Sequence, residues 1–123
     1  MSEAAQNHRM PLDGVRVLDI ATVLAGPFCA TVLGEFGAEV IKVEMPGGEG
    51  IRHSGNMVDE DRSLMWLSEA RNKKSVTLDL RKPEGAAILK RLVAETDIVV
   101  ENFRPGVMDR LALGYDTLSK IKP

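Results

Sequence analysis

Asn102, Phe103 and Arg104 follow the aliphatic run Ile98, Val99, Val100 and precede Pro105 and Gly106. An ordinary chain reversal needs only the Pro and the Gly. The added amide, ring and guanidinium are suited to holding a ligand, since Arg makes planar, bidentate contacts to phosphate and also stacks on rings. Phe103 is open to two readings, a ring packed into the core at a strand end or a ring facing a ligand. Other cations cluster as Arg71, Lys73 and Lys74, as Arg81 with Lys82, and as Arg110 beyond the Pro-Gly pair. For each lysine a solvated face is the plainer reading. The acids expected nearest such a site are Asp19, Asp97 and Glu101, with Asp19 bonded to loop amides. Neither His8 nor His53 is in sequence reach of them, so no triad and no metal constellation is legible. Cys29, the single cysteine, excludes an internal disulfide and a multi-cysteine zinc site, and reads as a packed thiol. What emerges is a binding edge without a catalytic group.

These residues act together only if the fold gathers them. Residues 15–20 (VRVLDI) read as a short aliphatic strand. A loop follows, then a helix with Pro27 at its first position and Gly37 at its stop. Residues 38–44 (AEVIKVE) form a second strand, and 47–61 a long loop rich in Gly and charge. Residues 62–70 read as a short helix bearing the only tryptophan, Trp66, and 75–80 (SVTLDL) as an alternating strand suited to a sheet edge. A helix opened by Pro83 and Glu84 places Ile88, Leu89, Leu92 and Val93 on one face. The strand DIVVEN and two short helical pieces complete the order.

This alternation predicts an α/β fold, a Rossmann-like open, mainly parallel sheet with flanking helices. In such a sheet the strand carboxyl ends share one edge, so the loops 21–26, 45–52 and 101–106 are expected to line one crevice. A nucleotide-type ligand is the simplest occupant, because helix amino ends offer free N–H groups to phosphate. NAD or FAD is disfavoured: the first loop supplies only Gly26 where the dinucleotide fingerprint needs three glycines, so Glu44 reads as a polar strand end. Residues 1–10 read as a disordered leader, and 11–123 as the amino-terminal part of a domain whose closing elements lie beyond Pro123.

Of the 123 residues, 44% are hydrophobic and 28% charged, the balance of a folded domain rather than a disordered chain. A net charge of -2, a pI near 5.7 and 4% aromatic content argue against a nucleic-acid module. No apolar run reaches the roughly 18 residues a membrane helix needs, and neither a membrane nor a nucleic acid is expected as partner. The polar amino end lacks the apolar region of a secretion signal, so the cytoplasm is the expected compartment.

Three segments in order, 12–52 (LDGVRVLDIATVLAGPFCATVLGEFGAEVIKVEMPGGEGIR), 71–85 (RNKKSVTLDLRKPEG) and 97–118 (DIVVENFRPGVMDRLALGYDTL), closely resemble the family III CoA-transferases. That family includes carnitine and formyl-CoA transferases, with α-methylacyl-CoA racemases as cousins. The resemblance implies transfer of coenzyme A from an acyl-CoA to a carboxylic acid, without a metal, through covalent aspartyl intermediates. It implies a Rossmann-like large domain, a smaller domain, and a homodimer of two interlocked rings when full length. It implies that Leu24 and Ala25 lie near the pantetheine and thiol end, and that Leu78, Asp79, Leu80 and Arg81 border the adenine nucleotide. By the same resemblance, Asn102, Phe103 and Arg104 form another wall, and Arg110 reaches toward phosphate. Leu24 stands where some transferases carry Gln, and Met45 where many carry a basic residue, a phosphate contact that Arg52 could replace. The nucleophilic aspartate is implied a few tens of residues past Pro123, and no acid here is assigned its part. Two alternatives stay open: a racemase or epimerase of the same superfamily, working by general acid–base chemistry, or a catalytically inactive truncated fragment.

Overall fold

A computed structural model of the protein describes residues 9–123. Most of the expected leader, residues 1–8, lies outside the described residues. The elements run β1 (Arg16–Asp19), α1 (Ala25–Glu35), β2 (Glu39–Glu44), a 3-10 turn (Gly50–His53), α2 (Leu64–Glu69), β3 (Lys73–Thr77), α3 (Pro83–Ala94), β4 (Ile98–Val100), α4 (Val107–Arg110) and α5 (Tyr115–Leu118). All strands pair in parallel, in the order β3-β2-β1-β4, as the α/β reading predicts.

The strand periodicity of two assigns opposite roles to the sheet's faces. Leu18, Ile20 and Val43 turn toward α3 and α5, where they pack with Leu78, Leu89, Val93, Leu113 and Leu118 in the larger apolar core. Val17 and Val40 turn the other way, onto Ala30 of α1 and Ala38. Further along this second face stand Asp19, Lys42 and Glu44, and level with Val40 stands Lys73, all with side chains at most 2% exposed. One face is therefore a conventional core, and the other grades from aliphatic to ionic toward the strand carboxyl ends.

Several expectations shift. β3 ends at Thr77 because the chain leaves the ladder there: the Asp79 carbonyl accepts the Lys82 N–H (3.1 Å), and Gly85 of α3 packs so closely on Asp79 that a Cβ would overlap its carbonyl. Helix α1 starts two residues before Pro27. Cys29 is exposed, not packed, because α1 buries Gly26, Pro27, Ala30 and Thr31 instead. Ile88 is 41% exposed, so the buried stripe of α3 is Gly85, Leu89 and Val93, spaced by four. Asp97 precedes β4 and lies at the opposite edge from the carboxyl ends, accepting the Arg16 N–H and pairing with Lys122.

Candidate functional site

β1 lies at the point where the strand order reverses: β2 and β3 follow on one side of it and β4 on the other. Open parallel sheets bind ligands at the carboxyl side of such a point. A crevice of about 80 Å³ opens here, and residues after all four strands line it: Ile20 and Thr22, Met45 and Gly48 to Gly50, Leu78 and Leu80, and Phe103. That volume is well below the roughly 300–1,000 Å³ of a small-molecule pocket. It has room for no more than a slender group.

The loop after β1 is held by side chains from its neighbours. Ala21 N–H donates to Asp19 Oδ1 (3.1 Å), and the Ala21 carbonyl accepts from Lys42 Nζ. The Asn102 carboxamide takes both polar groups of Thr22, accepting its N–H and donating to its carbonyl, each at 2.8 Å. Val23 N–H donates to Glu49 Oε1 (3.2 Å). Val23 adopts φ 65°, a left-handed conformation costly for a β-branched residue. Gly26 completes the contact, since a Cβ there would overlap the Ala21 methyl and press on Asn102.

The ions below this loop form a connected set. Lys42 Nζ lies 3.3 Å from Asp19 and 3.6 Å from Glu49, while Lys73 Nζ donates to Asp19 Oδ2 (2.9 Å) and to the Pro27 carbonyl (2.6 Å). Desolvation lowers the Lys73 pKa, against the opposing pull of Asp19. Glu44 accepts both Arg52 Nε and Nη2 at 2.6 Å, the Ser75 hydroxyl and the Glu49 N–H. Burial alone would raise its pKa, but these donors outweigh it and bring it down to about 2. The Arg52 guanidinium also covers the Trp66 ring, 3.8 Å from its centroid. Arg52 is thus engaged in holding the β2 loop.

Of the residues singled out in the sequence, Met45, Leu78, Leu80 and Phe103 line the crevice. Leu78 and Leu80 also belong to the core, and Phe103 packs against it while half-buried, so its two readings meet in one position. Leu24 and Ala25 are exposed at the amino end of α1. Arg81 closes on Asp79 through Nε (2.8 Å) and Nη2 (2.9 Å), which lowers the Asp79 pKa. Arg104 and Arg110 are exposed beside the turn at Gly106. Glu101 accepts the Phe103 N–H (2.8 Å). Lys42 and Lys73 were not read from sequence as parts of this edge, and Glu49 was read only as one residue of the 45–52 loop. A lone lysine inside the aliphatic run VIKV was the available signal for the first.

A parallel open sheet with flanking helices defines a Rossmann-like α/β fold. The chain belongs to CoA-transferase family III, whose profile matches residues 12–123. It is 56% identical over 115 residues to the succinyl-CoA–L-malate CoA-transferase beta subunit of Chloroflexus aurantiacus, covering 93% of this chain and 28% of that protein. It is 47% identical to the succinyl-CoA:glutarate CoA-transferase of Mus musculus, covering 92% of this chain and 26% of that one. A CAIB/BAIF family protein from Brucella suis superposes with a TM-score of 0.87 at 40% identity, over 94% of this chain and 32% of the other. The chain thus spans between a quarter and a third of these relatives.

Proposed function

We propose that this chain supplies part of the coenzyme A site of an enzyme that moves CoA from an acyl-CoA to a carboxylic acid, residues 11–123 being the amino-terminal part of its CoA-binding domain. The observation that carries this reading is the convergence of all four strand ends on one crevice, where Arg81 and Arg104, chain neighbours of the lining residues Leu80 and Phe103, are exposed, as is Arg110 of α4. A slender pantetheine arm fits an 80 Å³ crevice, and phosphates suit a rim of guanidinium groups. Leu24 and Ala25 then flank the thiol end, Leu78 and Asp79 to Arg81 the nucleotide, and Asn102 to Arg104 the opposite wall.

Chemistry passes through covalent aspartyl intermediates in this reading, but no acid among the described residues is placed to be the nucleophile. Asp19 is buried between two lysines, and Glu44, with a pKa near 2 and several donors on it, is a weak one. The relatives' names favour transfer over racemisation, and succinyl-CoA is the donor we assign, with a small dicarboxylate as acceptor. The working enzyme is proposed as a dimer in the cytoplasm. Among the described residues no helix is long and apolar enough to cross a membrane.

Calorimetric titration of the complete gene product with CoA tests the binding role. Arg104→Ala and Phe103→Ala are each expected to weaken CoA by about 1–3 kcal/mol, roughly 5- to 150-fold, through loss of a charge-assisted bond or a stacked ring. Wild-type affinity in both variants would move the site elsewhere.

A further inference from the structure

Glu49 is buried at 8% exposure and belongs to a loop, yet its carboxylate faces inward. Oε1 accepts the N–H of Val23, and Oε2 faces Lys42 across 3.6 Å. Lys42 in turn donates to the carbonyl of Ala21 and to Asp19. A single buried carboxylate therefore links the β2 loop to the one residue of the β1 loop in a strained conformation, φ 65° at a valine. Left-handed backbone is costly for a β-branched residue and persists only where surroundings over-determine it. Asn102 fixes Thr22 from the other side, so the strain is confined between two clamps, one from each flanking strand end. Leu24 and Ala25 follow at once, at the start of α1.

We propose that Glu49 is a positioning residue for CoA transfer: by holding Val23 left-handed it aims the start of α1 at the acyl-thioester end of the ligand. This rests on the CoA-transfer reading. Glu49 does not touch the reacting atoms and acts through the backbone of Val23. Removing it lets the loop relax while leaving the rim cations in place. Turnover then falls, and CoA affinity does not follow it.

The test uses the complete gene product with three changes: Glu49→Ala, Glu49→Gln, and Glu49→Ala combined with Val23→Gly. Amide hydrogen exchange reads the loop, and steady-state kinetics with succinyl-CoA read kcat and KM separately. In Glu49→Ala, exchange at residues 21–24 is expected to rise about tenfold or more while β1 and β2 stay protected. Its kcat should fall about 100-fold with KM within about threefold, as for a misplaced reacting group. Gln keeps the acceptor for Val23, so Glu49→Gln should stay within about fivefold of wild-type kcat. Glycine takes φ 65° without strain, so Val23→Gly should restore about tenfold of the kcat lost in Glu49→Ala. A loss confined to KM, unchanged exchange at the loop, or no recovery in the double variant overturns the proposal. Should Glu49→Ala fail to fold, a Glu49→Gln protein that folds with low kcat and an exchanging loop overturns it equally. A wild-type protein that binds no CoA sinks the transfer reading and the role in catalysis with it. The exchange arm still decides, separately, whether Glu49 holds the loop.

Discussion

Lys42 and Asp19 stand opposite one another in the β1–β2 register, with side chains 2% and 0% exposed. Lys42→Ala leaves Asp19 with Lys73 but removes the buried cation facing both Asp19 and Glu49, a loss of up to about 3–5 kcal/mol. Urea denaturation of Lys42→Ala should show that loss, whereas Lys74→Ala, whose side chain is 74% exposed, should change stability by less than about 1 kcal/mol. Glu44 links the site to pH. Its folded-state pKa, near 2, lies below the ordinary 4.5, so the fold favours its charged form. Its contribution is complete above about pH 4.5 and drains away as the pH falls toward 2, on the order of 3 kcal/mol in all. Acid titration of wild type against Glu44→Gln should show a shallower stability loss across that window in the variant; parallel curves would contradict the assignment. Residue types in the sequence located Asn102, Phe103 and Arg104 at the edge but misjudged Lys73. Sequence position alone cannot distinguish a solvated lysine from one turned under a helix toward a buried acid on another strand.

Between elements, the β1 loop and α1 dock through Gly26, which has no room for a side chain against Ala21 and Asn102. Gly26→Ala should therefore destabilise by about 1–3 kcal/mol through overpacking and displace the Asn102 clamp, lowering CoA affinity together with thermal stability. A variant with an unchanged melting temperature would show that the loop yields freely. The strand–helix alternation and the edge position of β3 were legible because aliphatic periodicity reports burial locally. Element ends were less so. β3 stops at Thr77 although Leu78 and Leu80 continue the apolar pattern, because those leucines serve the core on leaving the ladder, and α3 crowds Asp79. Cys29 and Ile88 read as buried by composition but face outward, since each helix has room to bury only one narrow stripe. The crevice itself was inferred from topology, whereas its clamps, being bonds between loops some 26 to 80 residues apart, were not.

Over the molecule's surface, β4 is an edge among the described residues, with Ile98 37% exposed, and Val23, Leu24, Phe28, Leu64 and Met65 add exposed apolar area around α1 and α2. Open edges and apolar faces of this kind promote association. The 123-residue chain on its own is expected to elute from gel filtration as oligomers or aggregate; a sharp monomer peak with cooperative melting would contradict this. The relatives, of which this chain spans a quarter to a third, have further chain available to cover such surfaces and to complete the proposed CoA site. Everything proposed for this edge depends on its working in CoA transfer. To decide that, the complete gene product is incubated with succinyl-CoA and an isotopically labelled dicarboxylate, and the CoA thioesters are resolved by chromatography. A labelled dicarboxylyl-CoA is expected, with succinate released in equal amount. Succinyl-CoA left intact, or free CoA formed without labelled thioester, would contradict the proposed function.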